Sequence, residues 1–524
     1  MSSQMQALKT RLETIADLAG ASELAAWDQQ TKMPPNGGKA RAEMLGTLAS
    51  LRHEAFTDDE TGRLLDAAAA ELDGADGRGG RDPDSDDERL IEVTRRRWEK
   101  SRRVPTELEG ELARASSEGQ EAWVAARAAS DFKSFAPYLE RILTLTRRYV
   151  DCHLGHDGFE CAYDVLIDDY EPGISTARVA ELFSELKGEL VPMIARLGQA
   201  TPVDDTLLSA HFATDGQRAL ARETVGRMGF DEQGWRMDDT VHPFAIRIAA
   251  GDVRITTRWD ESYWPMSLYG AMHECGHGLY EAGVAPELRR LPTGSPESLG
   301  MHESQSRLWE NMVGRGRAFC TLLAPRIREL AGGDLADLDA DQLYRAINRV
   351  KPSYIRVEAD EATYGLHIIL RFELEQEMIE GRLAIADLPE AWNARFKDSF
   401  GLEVTDDADG VLQDVHWSGG MMGYFPTYAL GNLIAGQLWE RAHAEISGLE
   451  DQLAAGELAE LREWLRRRVH RHGAKFETEE LLEREGGGPI SVAPFVRYLK
   501  AKLSDVYGVD LGDGSTARQS TAPS

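Results

Sequence analysis

HECGHGLYE, residues 273–281, places two histidines four residues apart with a glutamate directly after the first. Read as helix, the stretch sets His273 and His277 about 40° apart around the axis and about 6 Å apart along it. Both imidazoles then reach one ion at zinc–nitrogen distances of about 2.0–2.1 Å. Glu274 is turned toward the same side, close enough to take a proton from a water held at the ion without ligating it. A Lewis acid, a water of lowered pKa and a base are what a hydrolase needs. A catalytic zinc also needs a third protein ligand and an open fourth position. The next helical segment, ESLGMHESQSRLWENMVG, offers His302 and Glu303. Glu303 is the choice, because two histidines and one carboxylate leave a net positive charge on the ion. His302 is adjacent and points elsewhere, as a neighbour of the ligands or as packing.

Outward from this stretch, most of the chain carries apolar residues at three- and four-residue spacing, as in FAPYLERILTLTRRYVDCHLG, and the fold class is mainly α-helical. The exception is AIRIAAGDVRITTRW, residues 245–259, where β-branched residues alternate around AAGD and a β-hairpin is expected just before the histidines. DGADGRGGRDPDSDDE, residues 73–88, reads as an exposed, mobile loop. No linker separates domains: residues 1–510 read as one large catalytic unit and 511–524 as a disordered tail.

The composition is globular, with 42% hydrophobic and 28% charged residues. Lys+Arg 59 against Asp+Glu 89 gives a net charge of -30, which repels phosphate backbones and argues against nucleic acid. There is no signal-peptide core and no run of the ~18 apolar residues of a membrane helix. Four scattered cysteines make no disulfide framework, and a reducing cytoplasm is the expectation. DCHLGHDGFEC, residues 151–161, fits no zinc-finger spacing and is expected to hold surface histidines and packed thiols. In LRRRVHRHG, residues 465–473, the basic charges suit the last turns of a helix before Gly473.

HECGH, HESQS, HPF (242–244), DVRIT (252–256), IRVEADE (355–361) and GVLQDVHWSGGMMGYFPTYALGN (410–432) together resemble the motif set of the carboxypeptidase Taq family of metallocarboxypeptidases. WDQQTKMPP, YDVLIDDYEPG and YLKAKLSDVYG extend the resemblance over residues 5–507. It implies a large helical fold with a deep central substrate groove, similar to neurolysin. It implies one zinc per chain (cobalt or manganese can occupy such ligands) and hydrolysis of the last peptide bond of peptides with a free C-terminus, often by a homodimer. By match to the motifs, His273, His277 and Glu303 are the metal ligands and Glu274 the general base acting on metal-activated water. Cys275 stands where an aromatic residue is common, and is expected to pack as a small apolar residue.

A carboxypeptidase must grip a carboxylate, which a guanidinium does with paired hydrogen bonds. Arg356 is the first candidate and Arg254 the second, with closure of the groove as the other role for Arg254. The alternative for either arginine is a buried ion pair with an acid such as Asp360. His416 and Tyr424 can each donate to the oxyanion formed at the cleaved carbonyl, or pack in an aromatic core.

Overall fold

Helices carry most of the chain in the structure, a computed structural model that describes residues 3–75, 82–296 and 298–512. Helices α1 (Ser3–Thr31), α2 (Gly38–Thr57), α3 (Asp59–Ala75) and α4 (Asp86–Arg103) come first. They are followed by α5 (Thr106–Ala129), α6 (Phe132–Asp151), α7 (Ala162–Asp168), α8 (Thr176–Leu197) and α9 (Thr214–Met228). Three strands follow, β1 (Trp235–Asp239), β2 (Ala245–Ala249) and β3 (Asp252–Thr257), and then α10 (Pro265–Gly283) and α11 (Leu299–Arg307). A π-helical segment, Leu308–Gly314, continues α11. The rest is α12 (Arg317–Ala331), α13 (Ala340–Ile347), α14 (Tyr364–Ile379), α15 (Leu388–Phe400), α16 (Pro426–Glu445), α17 (Leu449–Ala455), α18 (Ala459–Arg468), α19 (Thr478–Arg484) and α20 (Ala493–Tyr507).

Local signals set many of the boundaries. Ser298 accepts from the Met301 N–H at 2.8 Å and starts α11, and Asp339 with Gln342 forms a capping box on α13. The loop expected over 73–88 is shorter at both ends, since α3 runs to Ala75 and α4 starts at Asp86. Residues 76–81 of it, and residues 513–524 of the expected tail, lie outside the described residues.

The hairpin is present as β2 and β3, antiparallel with Ala245 opposite Ile255. A third strand adds to it: β1 pairs parallel with β3, Trp235 opposite Val253, giving the order β1-β3-β2. WRMDD escaped the sequence reading because only Trp235 and Met237 in it are apolar.

One continuous core runs from Ala126 in α5 to Leu511, just past α20. The first helices bury a separate, smaller cluster around Leu8, Leu12, Leu65 and Leu90, and α2 buries no residue at all. The two glycines inside HECGHG explain how tightly α10 is held. A Cβ at Gly276 would lie 2.7 Å from the Cα of Ser306 in α11, and one at Gly278 would lie 2.4 Å from the Trp235 ring of β1. Gly431 plays the same part on the far side of α11, where a Cβ would come within 2.7 Å of the Glu303 side chain. Helix α11 is thus pressed between α10 and α16. Among the described residues no helix is long and apolar enough to cross a membrane.

Candidate metal centre

The quoted stretch forms the second half of α10. The Nε2 atoms of His273 and His277 lie 3.2 Å apart with their rings nearly perpendicular, at 78°. One turn into α11, Glu303 Oε2 lies 3.5 Å from each of them. Among the described residues this trio is the one group of three histidine, cysteine or carboxylate side chains whose ligand atoms converge. The edges of this triangle can be tested against a metal. Four ligands at about 2.0–2.1 Å in a tetrahedron stand about 3.3–3.4 Å apart. The triangle therefore fits three corners of a zinc-sized tetrahedral site, with the fourth corner left to a water or substrate.

The surroundings fix each ligand. Glu310, from the π-helical segment, meets His273 Nδ1 at 2.9 Å and so turns Nε2 toward the centre. His277 Nδ1 faces His302 Nδ1, and His302 Nε2 meets Glu281 at 3.1 Å. Arg307 Nε donates to Glu303 Oε1 at 2.6 Å and its Nη1 reaches Glu310 at 3.3 Å, while Oε2 accepts from the Ser306 hydroxyl at 3.1 Å and faces the two imidazoles. Burial opposes the charge on Glu303, but Arg307 and the two histidines hold its carboxyl well below the usual range. Burial, with His302 beside it, lowers the pKa of His277 to about 3, so the imidazole is neutral and can ligate. Burial also disfavours a charged His273, but Glu303 and Glu310 outweigh it and raise its pKa. Glu274 is pushed up to about 7 by burial, with His273 opposing and Glu303 and Glu310 adding.

The other candidates fall into two places. Arg356 is buried and already engaged: Nε and Nη2 donate to Asp414 Oδ1 at 3.0 and 2.8 Å, and Nη1 donates to the Tyr364 hydroxyl at 2.9 Å. The acid is Asp414 and not Asp360, which instead accepts from the Lys351, Ala362 and Thr363 N–H groups. Tyr364 joins this cluster to the metal centre, because the Arg307 guanidinium lies 4.6 Å over its ring. His416 meets the Tyr428 hydroxyl at 3.3 Å, and its ring packs on Phe425 and Tyr424. Burial lowers its pKa to about 4. Burial first, then the Glu303 charge, raises the pKa of Tyr424. Arg254 is elsewhere. It pairs with Asp252 at 2.8 Å and lies 4.3 Å over Trp27 of α1, sharing no partner with Arg356.

A cleft of about 840 Å³ is lined by α1 and β2, with Glu281 and His302 also in its wall. Cys275 is fully buried. His153 corrects the expectation for residues 151–161: it is buried against Tyr149, whereas His156 is exposed. Helix α18 ends at Arg468, earlier than expected, and His470 folds inward to meet Gln305 at 2.9 Å. Glu310, Arg307, Tyr364, Tyr428 and Asp414 escaped the sequence reading. Glu281 carried a usable signal, lying one helical turn past His277 on the same face.

Converging imidazoles and a carboxylate with a free glutamate beside them, set in a helical fold, form the site of a metal-dependent hydrolase. Residues 7–503 match the family described as Carboxypeptidase Taq (M32) metallopeptidase, and the chain belongs to that family. It is 41% identical over 500 residues to thermostable carboxypeptidase 1 of Thermus thermophilus, covering 94% of this chain and 97% of that one. It is 35% identical to carboxypeptidase 1 of Bacillus subtilis, covering 95% and 97%. The M32 carboxypeptidase of Deinococcus radiodurans superposes with a TM-score of 0.92 at 38% identity, covering 97% of this chain and 100% of that one. The protein is therefore a metallocarboxypeptidase with a metal cofactor.

Proposed function

We propose that the protein is a zinc carboxypeptidase that releases one C-terminal amino acid at a time, with His273, His277 and Glu303 as ligands and Glu274 as general base. The observation that carries the reading is the triangle of Nε2, Nε2 and Oε2 atoms, 3.2–3.5 Å on its edges. A bound divalent cation supplies a Lewis acid that polarises the carbonyl and lowers the pKa of a water. Among the described residues no group hydrogen-bonds the Glu274 carboxylate. It is free to take the proton of the attacking water and to pass it to the leaving amine. Tyr424 and His416 are the candidate donors to the developing oxyanion. Arg356 keeps an N–H on each terminal nitrogen beyond its bonds to Asp414 and Tyr364, enough to hold a substrate carboxylate.

Mass spectrometry of a peptide mixture digested with zinc-, cobalt- or manganese-loaded protein tests this. Ladders of single-residue losses are expected from free peptides and none from C-terminally amidated ones. Dipeptides as first products, or equal cleavage of amides, would overturn it in favour of an oligopeptidase.

A further inference from the structure

We propose that Glu171 is a positioning residue for the metal centre. Its buried carboxylate fixes the first turn of α11 and so holds the Glu303 carboxylate where the two imidazoles converge. The inference rests on the reading of Glu303 as a ligand given above.

Glu171 follows α7, in the YEPG of residues 170–173, far from α11 in sequence. It is fully buried and, among the described residues, its carboxylate meets no lysine or arginine within ion-pair distance. Such a group is costly unless its oxygens are saturated with donors. Here they are, and two of the three donors belong to the start of α11. Oε1 accepts from the Ser298 hydroxyl at 2.6 Å and from the Thr478 hydroxyl at the head of α19. Oε2 accepts from the Gly300 N–H at 2.8 Å. The neighbouring Tyr170 carbonyl accepts from the Leu299 N–H at 2.9 Å. Ser298 relays the grip, since the same hydroxyl accepts from the Met301 N–H at 2.8 Å. Residues 170 and 171 therefore satisfy the first N–H groups of the helix, and the negative charge suits its N-terminal dipole.

Packing does not replace this anchor. A pocket of about 160 Å³ opens beside Ser298, Met301 and Thr478. Position 300 is glycine because a Cβ there would lie 2.4 Å from Glu171 Oε2, so the helix start is drawn right onto the carboxylate. One turn further on, Glu303 has Gly431 against its side chain, where a Cβ would fall at 2.7 Å, and Arg307 on its other oxygen. With α11 confined there, a shift of its first turn passes directly to the ligand oxygen.

The test uses full-length protein loaded with zinc or with cobalt. Glu171→Ala is expected to speed zinc release to a chelator by about 10–100-fold, the range seen when a partner behind a ligand is lost, and to alter the visible cobalt spectrum. Glu171→Gln should recover much of both, because its carbonyl can still accept from Gly300 and the hydroxyls can turn to accept from its NH₂. Thr478→Val removes a donor without touching α11 and should lower the melting temperature while leaving zinc release and spectrum as in wild type. Should Glu171→Ala fail to fold, Gly300→Ala, which wedges the same contact, takes its place. Wild-type zinc release and cobalt spectrum in Glu171→Ala, or in Gly300→Ala as its substitute, would overturn the positioning role. Glu303→Ala run alongside separates the two readings: if it too retains zinc, the ligand assignment has failed, and if it alone loses zinc, only the role of Glu171 has.

Discussion

Around His273 two ring nitrogens and a carboxylate oxygen converge on one point; around Arg356 every charge already has a partner. In the first region two ring nitrogens and a carboxylate oxygen face one another at 3.2–3.5 Å, an arrangement that a cation completes. In the second, Asp414 takes Arg356 through Oδ1 and Arg371 through Oδ2, the latter at 2.7 Å from Nε. Burial opposes the Asp414 charge, but Arg371 and Arg356 hold its carboxyl far below the usual carboxylate range. One cluster is incomplete without its ligand and the other is complete without it. The difference teaches that two buried charged sites linked through Tyr364 can be held in opposite ways, one by a ligand still to come and one by its own counter-charge. The metal centre leaves its converging atoms to a cation, whereas the arginine cluster stands preformed; on the function proposed above, a substrate carboxylate would add to bonds already made.

The contrast breaks most sharply at the ligands. His273→Ala and Glu303→Ala should each lose the metal and nearly all activity. Elemental analysis decides it, and full retention in both would remove the triangle from the mechanism. Glu274→Gln should keep the metal and the fold but lose activity by about 10²–10⁴-fold, because an amide cannot accept the proton; near wild-type turnover by the loaded variant would exclude the base. In the second region Asp414→Ala leaves two buried guanidinium groups without their acid and should cost about 3–5 kcal/mol of stability. Denaturant titration measures this, and a loss under 1 kcal/mol would mean the cluster is not held by its charges.

Arg356→Ala should cost about 2–5 kcal/mol of carboxylate recognition, a loss of at least tens of fold in kcat/KM on a free peptide. On the amidated peptide it should cost little more, because that pair is already broken; parallel losses on both would make Arg356 structural. The smallest effect is on pH. In metal-free protein Glu274 has its pKa raised from 4.5 to about 7, so the folded state binds more protons than the unfolded state between those values. Its contribution is full below about pH 4.5 and fades as pH rises through about 7. Thermal melts of the chelated protein should therefore decline more steeply over that window than those of Glu274→Gln. Parallel curves would show that the shift is absent.

Much of the candidate site was legible in the sequence because its geometry is local. The spacing of His273 and His277 on one helix decides that both rings reach one point, whatever packs around them. Glu303 was legible only as a carboxylate on the next helix. Its 3.5 Å approach depends on Gly276 and Gly431, which let α10 and α16 close on α11. Glu310 was hidden for a different reason. The turn carrying it is π-helical, so helical phase counted at 3.6 residues does not describe how it comes to face His273.

By itself the sequence determined the helical class, the hairpin over β2 and β3, and the pair of histidines with their glutamate. Each follows from periodicity or spacing within one element, where backbone geometry leaves little choice. Tertiary structure alone decided that Arg356 pairs with Asp414, 58 residues away. It alone decided that β1 joins β3 in parallel, and that Glu171 reaches Gly300 across 129 residues. The physical reason is that a buried charge needs donors or a counter-charge, and the composition offers many acids and arginines to supply them. Only packing selects which acid stands within 3 Å of which donor.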